Sequence, residues 1–202
     1  MFDRQLITAA RQPLQKIASG LLASGITANQ MTVAGFIAGL TAVPLIITGH
    51  TIWALLSILL NRLADGLDGT MARLTGPTDR GAFLDSVFDF LFYSAIPLAF
   101  AFAAPEQNAL AAATLIYSFV GTGCSFLAFA VLAAKRGITS MEYPDKGFYY
   151  LGGLTEGTET ILLFVVMCLF PAWFPVLAYG FAALCLLTII SRIATGIRIF
   201  TP

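Results

Sequence analysis

The chain has 202 residues, 58% of them hydrophobic and only 11% charged, with 11 basic and 11 acidic side chains and a formal net charge of zero. Ordinary soluble domains carry about 25% charged residues, so this composition excludes a typical water-soluble globule. The zero balance removes any electrostatic case for nucleic-acid binding.

A mean hydropathy of +0.84 points to an all-α polytopic membrane protein. The expectation is one membrane-embedded domain over residues 1–202. It would hold an amphipathic interfacial helix at 1–20 and a bundle of six transmembrane helices over 31–194. In the first segment Phe2, Leu6, Ala9, Ala10, Leu14 and Ile17 fall near helical spacing, while Arg4, Arg11 and Lys16 lie elsewhere. That pattern suits a helix lying on the membrane surface, bent at Pro13. Asp3, Arg4 and Arg11 interrupt any apolar leader core, so no cleavable signal is expected. Thr27 or Asn29 suits the N-cap of the next helix.

The first span is placed at roughly 31–48. It carries Gly35-x-x-x-Gly39, a spacing that lets helices approach closely inside a bundle. Thr48-Gly49-His50-Thr51 then turns the chain at the far membrane face. The second span starts near Ile52, only 13 residues before Asp65. Crossing the hydrocarbon takes about 20 residues, so this helix should continue through Asp65 and Asp68 to about Arg73. Arg62 is read as reaching for lipid headgroups rather than pairing with an aspartate. Further spans are placed at roughly 81–103, 109–134, 151–170 and 176–194. Cys124, Cys168 and Cys185 lie in apolar runs and read as packing residues. With six spans, every Lys and Arg falls on the side of the N-terminus. The positive-inside rule then puts both termini and the 74–80 and 135–150 loops in the cytoplasm of an inner-membrane protein.

The charged residues that remain are concentrated at one place. Asp65 and Asp68 are three apart and share a helix face; Asp85 and Asp89 are four apart and share a face of the next helix. Four like charges at close range need cations to stay ionised, and all-oxygen ligands select hard divalent ions such as Mg²⁺. Gly69 and Ala72 leave the backbone beside Asp68 almost bare. Arg73, one turn on, offers a planar fork for phosphate oxygens. Together these features suggest one or two metal ions and phosphoryl chemistry on a diphosphate.

Asp65-x-x-Asp68-Gly69-x-x-Ala72-Arg73, a short spacer, then Gly81-x-x-x-Asp85-x-x-x-Asp89 resembles the signature of the CDP-alcohol phosphatidyltransferases. Every fixed position of that pattern is filled, and the spacer is one residue shorter than the family's common count. Residues 26–32 resemble the family's Thr-Pro-Asn segment, with Ala28 in place of proline. The chain resembles a bacterial branch of the family over most of its length, residues 151–160 included, and Thr155-Glu156-Gly157 resembles a stretch of the choline and ethanolamine phosphotransferases.

The resemblance implies transfer of a substituted phosphate from a CDP-linked alcohol, with CDP-diacylglycerol favoured, to a small hydroxylated acceptor. CMP is released, and the product serves phospholipid biosynthesis. It implies two Mg²⁺ ions, with Mn²⁺ as the alternative, on Asp65, Asp68, Asp85 and Asp89, and Asp89 as the base for the acceptor hydroxyl. Asn29, Thr32, Gly69, Ala72, Arg73, Thr78 and Gly81 would contact the CDP moiety. The protein would be a homodimer in the lipid bilayer. Lys135, Glu156, Glu159 and Arg192 are candidates for the acceptor pocket: the basic pair suits a phosphorylated acceptor, the acidic pair a polyol or an amine. Two other classes use similar residues. A metal-dependent hydrolase or prenyl transferase would need the aspartates but not Gly69-x-x-Ala72-Arg73. A cation transporter would spread its carboxylates along a path through the bilayer.

Overall fold

The fold is that of a computed structural model, which describes residues 2–138 and 155–200, with side chains from Gln12 onward in the first helix. The described residues form α1 (Phe2–Ala23), α2 (Ala28–Leu40), α3 (Ala42–Ile47), α4 (Thr51–Thr75), α5 (Asp79–Ala103), α6 (Pro105–Lys135), α7 (Gly157–Leu169) and α8 (Phe174–Ile199). No strand occurs among them. Four stretches are long and apolar enough to cross a membrane: Ala28–Ile47, Asp79–Ala103, Pro105–Lys135 and Pro171–Ile199. Among the described residues these four are the ones that reach that measure, and the other two of the six expected spans do not. α4 has 25 residues but carries Arg62, Asp65, Asp68 and Arg73 from its middle onward. α7 is apolar but has only 13 residues, and the expected start of that span at Leu151 lies outside the described residues, as does Lys146.

The first span is two helices, not one. Pro44 has no N–H to donate to the carbonyl of Leu40, and its ring crowds that carbonyl. α2 therefore stops at Leu40 and α3 begins at Ala42. Thr41 fills the break: its hydroxyl donates to the Ala38 carbonyl at 2.6 Å and lies 2.9 Å from the Ser57 hydroxyl of α4. At the start of α2, Thr27 forms a capping box with Gln30, whose side-chain oxygens accept from the Thr27 and Gln30 amides that the helix end leaves unpaired.

α4 runs unbroken through both aspartates and ends at Gly76, whose φ of 94° lies in the region that favours glycine. Thr78 then caps α5 by accepting from the Gly81 amide at 3.1 Å. α4 is packed by α1, α2, α3 and α7; α5 by α2, α3 and α6; α6 also by α8. The core between them is aromatic. Phe164 meets the edges of Phe92 and Phe119, Phe119 meets Phe181, and Phe100 stacks on Phe174 at 4.7 Å. Cys168 and Cys185 are buried in this core and Cys124 is exposed. Large apolar side chains such as Ile37, Phe83, Leu110 and Val176 face outward, an exterior suited to hydrocarbon.

The two glycines of α2 bring it against α4. A Cβ on Gly35 would lie 2.5 Å from the Ala64 Cβ, and one on Gly39 2.9 Å from both the Asn61 Cβ and the Phe92 ring. Gly39→Ala is expected to destabilise the protein by about 1–3 kcal/mol through overpacking, read as a lower melting temperature in detergent. Gly180→Ala, where nothing lies within 4 Å, should leave melting unchanged or raise it slightly. His50 sits at the opposite end of α4 from Asp65, with Nδ1 3.0 Å from the Thr48 hydroxyl.

Candidate active site

The hairpin of α4 and α5 brings the carboxylates together. One oxygen each of Asp65, Asp68 and Asp85 lie within 4.8 Å of one another. Asp68 is buried, Asp65 half-buried and Asp85 exposed, so the trio opens from the helix interface towards the outside. Three carboxylate oxygens at this separation fit the donor set of a hard divalent cation. The same cleft is lined by Thr32, Gly35 and Phe36 of α2, Asn61 and Arg62 of α4, and Phe88 and Asp89 of α5. Phe36 and Phe88 stack at 4.2 Å and form its apolar wall. Thr32 lies within hydrogen-bonding reach of Asp68.

Asp89 is occupied differently from the other three. Arg62 Nη2 donates to its Oδ1 at 2.8 Å, and Tyr93 also hydrogen-bonds to its carboxylate. Arg62 is the residue whose reading the structure overturns. It turns inward, with Nη2 2.8 Å from Asp89 Oδ1 and Nη1 3.5 Å from Asp65 Oδ2, because both carboxylates lie within reach of one guanidinium. Asn61 fixes it: the amide donates to the Gly35 carbonyl at 3.0 Å and its oxygen accepts from Arg62 Nε and Nη2 at 3.0 and 2.8 Å. Sequence reading missed Asn61 and Tyr93 as partners. The signal was the i, i+3 spacing of Arg62 and Asp65.

The residues expected around the nucleotide fall in two groups. At the meeting of α2 and α5, a Cβ on Gly81 would lie 3.1 Å from Asn29 Oδ1 and 3.2 Å from the Thr78 hydroxyl, so the missing side chain lets these two polar groups sit close against the backbone. On α4, Arg73 is exposed and donates to the Thr70 hydroxyl at 3.1 Å. A Cβ on Gly69 would stand 3.5 Å from Arg73 Nη1. Ala72 lies between them on the helix.

The acceptor candidates are less unified. Glu156 and Glu159 form a capping box at the start of α7, with the Glu156 amide donating to Glu159 Oε2 at 3.1 Å. That end of α7 reaches the cleft through Gly157, where a Cβ would lie 3.3 Å from the Tyr93 hydroxyl. Arg192 is buried between α8 and α6. Its Nη1 donates to the Thr122 carbonyl at 3.0 Å and its guanidinium lies over the Phe126 ring. Lys135 is exposed at the end of α6.

Residues 25–194 match the family model for CDP-alcohol phosphatidyltransferase. The chain is 53% identical over 196 residues to the inner membrane protein YnjF of Escherichia coli strain K12, covering 97% of this chain and 95% of that protein. It is 33% identical over 163 residues to a phosphatidylinositol phosphate synthase of Corynebacterium glutamicum, covering 76% of this chain and 67% of that one. In three dimensions it shares its fold with the phosphatidylinositol phosphate synthase of Mycobacterium tuberculosis. The form of that enzyme with CDP-DAG bound aligns with a TM-score of 0.68 at 22% identity, over 91% of this chain and 93% of that one. The form in complex with manganese and citrate gives 0.72, also at 22%, over 91% and 88%. The chain therefore belongs to the CDP-alcohol phosphatidyltransferase family, a family of transferases of phospholipid biosynthesis.

Proposed function

We propose that this protein transfers a phosphatidyl group from CDP-diacylglycerol to the hydroxyl of a small acceptor alcohol, releasing CMP. The observation that carries the reading is the three-carboxylate cluster on α4 and α5, set beside a glycine-rich backbone and Arg73. Mg²⁺ is the proposed ion, held by Asp65, Asp68 and Asp85, with Mn²⁺ able to replace it. Such an ion withdraws charge from the diphosphate and makes CMP a better leaving group. Asn29, Thr32, Thr78 and Gly81 from one side, and Gly69, Ala72 and Arg73 from the other, hold the CDP moiety. Arg73 takes phosphate oxygens through its planar fork. Asp89, held at Oδ1 by Arg62, accepts the proton of the acceptor hydroxyl as that oxygen bonds to phosphorus and the bond to CMP breaks.

The acceptor enters beside Tyr93, where the N-terminus of α7 presents Glu156 and Glu159. Lys135 and Arg192 are proposed on its phosphate-facing rim. The protein works as a single membrane-embedded domain in the inner membrane. Six helices cross the bilayer, α1 lies along the interface, and both termini and the site face the cytoplasm. Two chains pair as a homodimer. Purified protein with labelled CDP-diacylglycerol, Mg²⁺ and a panel of acceptors tests the reaction. The panel should include glycerol phosphate, a polyol phosphate, a free polyol, serine and ethanolamine. CMP release that depends on one added alcohol is the expected result. Equal release in water alone would make the protein a hydrolase.

A further inference from the structure

The interior of the bundle carries hydroxyls that the proposed reaction does not use. Ser118, Thr155 and Thr188 are buried, Thr188 completely. A buried hydroxyl is costly unless it is bonded, and these are bonded between elements. Thr155 stands two residues before α7 and lies 3.1 Å from the Thr188 hydroxyl of α8. The Thr188 proton goes to the Leu184 carbonyl at 3.2 Å, so Thr155 is the donor of the pair. Cys185, one turn earlier on α8, lies within hydrogen-bonding reach of the Thr155 hydroxyl and of Ser118 on α6. A thiol is a weak partner, so Thr188 carries the tie.

The tie joins two parts of the bundle. α7 packs mainly on α4, whereas α8 packs mainly on α6. Thr155 links the α6–α8 pair to the segment that enters α7. On its other side the start of α7 rests on α5, where a Cβ on Gly157 would lie 3.3 Å from the Tyr93 hydroxyl. Glu156 stands between these two anchors, and Glu159 is its partner in the capping box. The Thr160 hydroxyl donates to the Glu156 carbonyl at 2.9 Å, so what Thr155 fixes is passed on to the whole first turn.

We propose that Thr188 is a positioning residue for the acceptor: through Thr155 it holds the first turn of α7 beside the cleft and so places Glu156 and Glu159 where the acceptor binds. This rests on the reading that the acceptor enters beside Tyr93, and deepens it. The donor site is built on α2, α4 and α5, so donor binding does not depend on the tie.

The test compares Thr188→Val, Thr188→Ser, Thr155→Val and the double variant Thr155→Val/Thr188→Val with wild type in lipid nanodiscs. One readout is amide hydrogen exchange over residues 155–163. The other is KM for CDP-diacylglycerol and for whichever of glycerol phosphate, a polyol phosphate, a free polyol, serine and ethanolamine supports CMP release. Each single valine variant should raise both the exchange and the acceptor KM about tenfold, the worth of one hydrogen bond, with KM for CDP-diacylglycerol unchanged. Thr188→Ser keeps the hydroxyl and should behave as wild type. The double variant leaves neither hydroxyl without its partner, so melting should return towards wild type while exchange and acceptor KM stay raised. A double variant with wild-type acceptor KM would show that the pair only fills the core, and overturns the proposal. Unchanged exchange in a folded Thr188→Val variant, or an equal rise in both KM values, overturns it too. Should the single variants fail to fold, the double variant decides. Wild-type protein that releases CMP with none of the five alcohols overturns the acceptor reading and the role of Thr188 with it, whereas a failure of the variants alone leaves that reading standing.

Discussion

Asp85→Asn is expected to abolish turnover and metal binding together. Asp85 is the exposed member of the cluster, so the substitution removes a ligand charge at little cost to folding. Losing an ion that stabilises developing charge is worth several kcal/mol in the transition state. At 1.36 kcal/mol per factor of ten, turnover should fall about 10³-fold or more. Alcohol-dependent CMP release and Mn²⁺ binding, measured on the same preparation, check it. Full Mn²⁺ binding with wild-type turnover would show that the chemistry lies elsewhere.

Asp89→Asn should separate binding from chemistry. The amide oxygen can still accept from Arg62 Nη2, which now donates to Asp89 Oδ1, so the Arg62 network is kept. The base is lost, and general-base catalysis is typically worth about 10²–10⁴-fold. Turnover should fall by that factor while affinity for CDP-diacylglycerol, measured by direct binding, stays within a few-fold. If Mn²⁺ binding and donor binding fall together with turnover, Asp89 is a metal ligand and not a base.

The carboxylate hairpin was legible because it rests on short-range geometry. Asp65 and Asp68 share a face by helical spacing alone, and the continuation of α4 to Thr75 followed from counting residues against membrane thickness. Arg62 was not legible in the same way. Its i, i+3 partner Asp65 could be seen, but the decisive partner is Asp89, 27 residues away on another helix. Only the packing of α2 and α3 against both α4 and α5 brings them together. The break after Leu40 had a local signal in Pro44 that hydropathy overrides, since the two halves read together as one apolar stretch over Ala28–Ile47. Glu156 and Glu159 fall inside the span expected at 151–170. The structure sets them at a helix start, where free amides stabilise them. The number of membrane crossings is the least readable property, because α4 trades apolar residues for chemistry and α7 is short.

The pairing of Arg62 with Asp89 bears on how the chain enters its membrane. α4 carries two charges of each sign, Arg62, Asp65, Asp68 and Arg73, whereas α5 has three acidic residues and one basic, Asp79, Asp85, Asp89 and Arg80. An aspartate deep in a helix resists leaving the translocon alone, by a few kcal/mol. Its neutralising arginine has by then already been synthesised on α4. Burying Asp89 in an apolar setting is therefore least costly with α4 already beside α5, so the two helices act as one charge-paired unit.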